Sequence, residues 1–89
     1  MDQGPTYPDP VLYVFWQTVR TYRKQRALKQ RELAALADID HTYISGIERG
    51  KRNVSLHILL RLAAALKVPL SCLVQPLEAL PILPTPQSS

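Results

Sequence analysis

Residues 41–53 read HTYISGIERGKRN and concentrate side chains that donate and accept hydrogen bonds. His41 and Ser45 stand one helical turn apart, a spacing that would let a base activate a nucleophile. Nucleophilic catalysis also needs an acid to orient the base and a pocket to hold substrate, and the surrounding sequence offers neither. His57 lies in another segment, and neither histidine has a cysteine pair nearby, so metal-ligand spacing is missing. The 3 glycines are isolated, which leaves no glycine-rich phosphate loop. No metal, no cofactor and no enzymatic activity are expected. What remains is recognition.

At ~100° per residue around a helix, Tyr43, Ile44 and Ile47 fall on one side of this segment. His41, Thr42, Ser45, Gly46 and Arg49 spread over the other. A helix face that only meets water usually carries Lys, Glu and Gln, which favour helix. Short polar side chains instead let the backbone approach another surface closely. The major groove of double-stranded DNA admits a helix, and its base edges suit His, Ser, Thr and Arg. His41, Thr42, Ser45 and Arg49 are therefore expected to read bases. Gly46, which costs about 1 kcal/mol in a helix interior, is expected to face outward and permit close approach.

Five short helices must position these groups. Asp9-Pro10 signals a helix start, with Asp as cap and Pro at the first helical position. Leu12, Phe15, Trp16, Val19, Tyr22 and Arg26 then follow at spacings of three and four, one face of a helix to about Arg26. From Gln30, the residues Leu33, Ala34, Leu36 and Ala37 make a short apolar face that Asp38 ends. Asp40 can cap a third helix, His41 to Arg49, stopped by Gly50. Ser55 can cap a fourth over 56–66, with Leu56, Leu59, Leu62, Ala63 and Leu66 on one side. Pro69 opens a fifth, to about Val74, and a Pro-rich tail follows over 75–89. Nothing alternates with period two, so no sheet is expected. The fold class is all-α: an irregular segment 1–9, a compact five-helix bundle over 10–74, and the tail.

Charge supports the same reading. The 89-residue chain carries +4, but all 11 Lys and Arg lie between Arg20 and Lys67 with only four of the 7 acidic residues, so that window carries +7. A basic centre with acidic flanks points to a polyanion. Gln30, near the N-terminus of the second helix, and Arg49, Lys51, Arg52 and Asn53, just beyond the third, are placed to hold phosphates. Cys72 is the single cysteine, which excludes an intrachain disulfide and fits a reducing cytoplasm. The first ten residues lack the pattern of a secretory signal. No apolar run approaches the ~18 residues that a membrane span requires.

From Val19 to Val74 the chain resembles the lambda-repressor-like, Xre/Cro-type helix-turn-helix family. The resemblance rests on Arg23, Leu28, Gln30 with Leu33-Ala34, the turn at Ile39, Ile44 with Ile47-Glu48, Gly50, Asn53, Ser55-Leu56, and Leu66 through Leu70. It implies a five-helix bundle with helix 3 in the major groove of operator DNA. His41 and Thr42 would read bases, Gln30 would touch phosphate, and Arg23 would pair with Glu48 across helices 1 and 3. Ala27 departs from the family's usual Gly after helix 1, so a slightly different loop is expected there. Lys29 replaces the usual Ser or Thr cap of helix 2 and would add a phosphate contact. Asp38 replaces the usual Gly of the turn.

Within the family the segment HTYISGIERGKRN looks most like restriction–modification controller proteins. That subgroup adds Arg52 as a base reader and the Tyr43 hydroxyl as a phosphate ligand. The implied partner is a palindromic operator bound by a homodimer in the cytoplasm, at the nucleoid, with activity as a transcriptional regulator. Ile58, Leu70, Val74 and Leu77 are the expected dimer interface, with Leu80 and Ile82 beside them. An antitoxin of a toxin–antitoxin pair, which would add a toxin partner, is the alternative reading.

Overall fold

The computed structural model describes residues 9–49 and 52–81. Five α-helices follow in order: α1 Pro10–Gln25, α2 Gln30–Ala37, α3 His41–Glu48, α4 Leu56–Leu66 and α5 Leu70–Val74. A 3₁₀ helix, Gln75–Ala79, ends the described chain. No strand occurs among the described residues.

The starts of these helices follow from local chemistry. The Asp9 carboxylate accepts from the Val11 N–H at 2.8 Å, and Pro10 occupies the first turn. Lys29 precedes α2 without a side-chain cap, yet Glu32 reaches back to accept from the Lys29 N–H at 2.7 Å. That is half of a capping box, and it offsets the missing Ser or Thr. Asp40 caps α3 and Ser55 caps α4.

Three helices end in the same way. Ala27, Asp38 and Lys67 take left-handed conformations with φ of 57°, 56° and 60°. The next residue then bonds back to a carbonyl five residues earlier: Leu28 to Arg23 at 3.0 Å, Ile39 to Ala34 at 2.9 Å, Val68 to Ala63 at 3.1 Å. Each of Leu28, Ile39 and Val68 tucks against the core, which completes a Schellman-type stop. The loop after α1 thus keeps the left-handed geometry that glycine serves best. Ala27 accepts it, where a different loop had been expected, because Leu28 then packs, half-buried, against the core.

Every helix contributes to one core of Phe15, Val19, Leu33, Ala34, Ala37, Ile44, Ile47, Leu62, Ala63, Leu66 and Leu73. The apolar stripes read from the sequence hold for these positions apart from Leu73, which belonged to none of them. They fail at Leu36 and Leu56, which are 61% and 67% exposed. The Pro-rich tail also begins later than expected. Pro76 starts a 3₁₀ turn that packs on α1 and half-buries Leu77. Ile82 lies outside the described residues.

Candidate nucleic-acid interface

The turn Asp38-Ile39-Asp40 sets α3 against α2, and the core residues Ile44 and Ile47 fix which way α3 faces. His41, Thr42 and Arg49 are left exposed, and Ser45 is half-buried. The first turn of α3 is organised by its cap. Asp40 Oδ1 accepts from the Thr42 N–H at 3.0 Å and from the Thr42 hydroxyl at 2.9 Å. These bonds hold the Asp40 carboxyl below its ordinary range: the backbone N–H contributes most and the hydroxyl next. Slight burial opposes them, and attraction to His41 adds to them.

The opposite end of α3 is tied into the protein. Glu48 is buried and receives the Arg23 guanidinium through Nε and through Nη2 at 2.9 Å. The Gln30 amide donates to the same carboxylate at 3.0 Å, and Arg23 Nη1 donates to the Leu28 carbonyl at 2.7 Å. One carboxylate thus joins α1, α2 and α3. A buried pair of this kind fixes helix angles more than it adds net stability.

Lys29, Gln30, Arg31, Glu32 and His41 line an open groove between the starts of α2 and α3, with Arg23 at its floor. Arg31 is exposed and was missed as a site residue. Its signal was the run Lys29-Gln30-Arg31 across a helix N-terminus. Gln30 is only half-buried, and the hydrogen it gives Glu48 leaves its second amide hydrogen for another acceptor.

Within α3 the structure differs from two expectations. Gly46 is buried, covered by a side chain from another part of the chain, and so is not open to another surface. The Arg52 side chain crosses it so closely that a Cβ at Gly46 would stand 2.5 Å from Arg52 Cγ. The close approach that glycine permits is made by this protein's own arginine. A helix wheel could not show this, because the cover comes from outside the helix. Tyr43 also differs from the expected phosphate ligand. Its hydroxyl donates to the Asn53 carbonyl at 2.8 Å, so the hydrogen a phosphate would need is already engaged. The Arg52 guanidinium sits 5.6 Å from the centre of the Tyr43 ring, in cation–π range. Tyr43 therefore positions Arg52 and Asn53. The Asn53 side-chain oxygen accepts from the Val54 N–H at 3.1 Å. Lys51 and Gly50 lie outside the described residues.

The residues expected at a dimer interface are only half open. Ile58, Leu70 and Leu77 pack against the core, and Val74 and Leu77 border a crevice shared with Leu12 and Phe15 of α1. Leu56 and Leu60, one turn apart on α4, are the open apolar pair at 67% and 52% exposed. The stripe reading placed Leu56 inward because three- and four-residue spacing alone does not say where the core arc ends.

Residues 19–71 match the helix-turn-helix family HTH_3. Control protein C.MunI of a Mycoplasma species is 43% identical over 65 residues, which span 72% of this chain and 88% of that protein. The restriction-modification controller protein C.AhdI from Aeromonas hydrophila superposes with a TM-score of 0.69 at 44% identity, over 70% of this chain and 94% of that one. The controller protein C.Esp1396I, solved as a tetramer with its natural 35 base-pair operator, gives a TM-score of 0.69 at 28% identity, over 76% of this chain and 95% of that one.

Proposed function

We propose, because the chain belongs to the helix-turn-helix family HTH_3, that it is a transcriptional regulator controlling a restriction–modification system from a palindromic operator. The exposed first turn of α3 carries the proposal: His41 and Thr42 are open while the rest of the helix is held by Ile44, Ile47 and Glu48. His41, Thr42, Ser45, Arg49 and Arg52 read base edges. Lys29, Gln30, Arg31, Lys51 and Asn53 hold phosphates on either side. The similarity to C.AhdI and to operator-bound C.Esp1396I supports this assignment. The protein works in the cytoplasm, on the nucleoid.

One copy of α3 covers too few base pairs for useful specificity, and proteins of this architecture bind half-sites about one turn, ~34 Å, apart as dimers. The exposed parts of Ile58, Leu70, Val74 and Leu77 supply the homodimer contact. Selection of bound duplexes from a random pool, followed by sedimentation with the winner, tests the proposal. Two related half-sites with two chains per duplex, and affinity falling steeply with salt, are expected. Recovery of no preferred sequence would overturn it.

A further inference from the structure

The polarity of one base contact is already set in the free protein. Asp40 Oδ1 takes both the Thr42 N–H at 3.0 Å and the Thr42 hydroxyl at 2.9 Å. An ionised carboxylate can only accept, while a hydroxyl has one hydrogen and two lone pairs. The Thr42 hydrogen must therefore point at Asp40. Asp40 is ionised at neutral pH, since the same two donors hold its carboxyl below the ordinary range. Thr42 is exposed, so what it presents outward is a pair of lone pairs and a methyl group. Turning the hydroxyl round would break a charge-assisted hydrogen bond, one of the stronger kinds.

Base edges differ in what they offer such a group. Guanine presents two acceptors in the major groove, N7 and O6. Adenine N6 and cytosine N4 present amine hydrogens. Resting on the DNA-binding assignment above, we propose that Thr42 reads the base facing it as a hydrogen-bond acceptor, selecting adenine or cytosine, whose own exocyclic amine points at it, and rejecting guanine at that edge. Asp40 is then a positioning residue for specificity as well as a helix cap.

The test uses the full chain, a random duplex pool, and the four base pairs substituted in turn at the position that Thr42 controls. Thr42→Val keeps the shape and the methyl but removes the lone pairs. Asp40→Ser keeps a helix cap but has a hydroxyl that can donate as well as accept, which frees Thr42 to turn. Circular dichroism checks that both variants keep their helices. For the wild type, placing guanine at that edge should weaken binding about tenfold. Thr42→Val should shrink that discrimination to less than about threefold, and Asp40→Ser should raise the relative affinity for guanine. A wild-type preference for guanine there would overturn the proposal, as would a Thr42→Val preference identical to the wild type's. A pool with no enriched sequence would overturn the DNA-binding assignment itself, which keeps the two failures distinct.

Discussion

The two ends of α3 are built on opposite plans. At the start, His41 and Thr42 stand in solvent, and the Thr42 hydroxyl is bonded to the neighbouring Asp40. At the finish, Gly46 and Glu48 are buried beneath side chains from other segments: Arg52 over the glycine, Arg23 and Gln30 on the carboxylate. An eight-residue helix is too short to be stable alone. Its outer end can be left open because its inner end is anchored in three directions. The open end and the anchored end are separated by little more than one helical turn.

Substitutions at the two ends should therefore fail differently. The largest effect belongs to Glu48→Ala, which strands the buried Arg23 guanidinium. Breaking a buried pair costs about 3–5 kcal/mol, and urea unfolding should show a loss of that order. A loss under about 1 kcal/mol would mean that the pair does not anchor α3. Asp40→Ala should lower stability through the lost cap. Its pH dependence has a definite sign. The carboxyl is lowered in the folded protein, so its stabilising contribution is full above the unfolded carboxylate range, near pH 4. It is lost as pH falls through the lower folded value. The stability gap between wild type and Asp40→Asn, which caps without titrating, should narrow on acidification below about pH 4. A gap that widened there would contradict the Thr42–Asp40 bonds.

Smaller effects test the supports. Ala27→Gly, at φ 57°, should stabilise by about 0.5–1 kcal/mol, since the relief of left-handed strain exceeds glycine's greater entropy loss. Thermal melting reads this directly, and a lower melting temperature would show that the Ala27 methyl is packed. Gly46→Ala should destabilise by about 1 kcal/mol, because the added methyl would stand 2.5 Å from Arg52 Cγ, close to the Arg52 backbone, and the whole side chain must shift. Its effect also appears in operator affinity, which should fall as Arg52 is pushed off Tyr43. Unchanged affinity would remove Arg52 from the reading set.

The same comparison explains what the sequence disclosed. The open end of α3 was legible: Asp40 as cap, then small polar residues where a solvated helix would carry Lys and Glu. The helix bounds were legible too, since Asp9-Pro10, Ser55 and Pro69 act on their own neighbours. Arg23–Glu48 was found through the family resemblance, with the apolar stripe of α1 in agreement. The covered end was misread. Arg52 over Gly46 and the Tyr43–Asn53 bond join residues across a loop, and no periodicity within a helix encodes that. Leu36 and Leu56 were misplaced for a related reason. A short helix offers several apolar residues within reach of the core, and only its neighbours decide which are covered.

The separation of reading from anchoring is tested most directly by one ratio: affinity for the selected operator over affinity for a scrambled duplex, compared between wild type and Thr42→Ala. The expected result is a roughly tenfold fall in that ratio, with scrambled-duplex affinity unchanged because the phosphate-holding cations are intact. A parallel fall on both duplexes, leaving the ratio as it was, would contradict the assignment of base reading to the open end of α3.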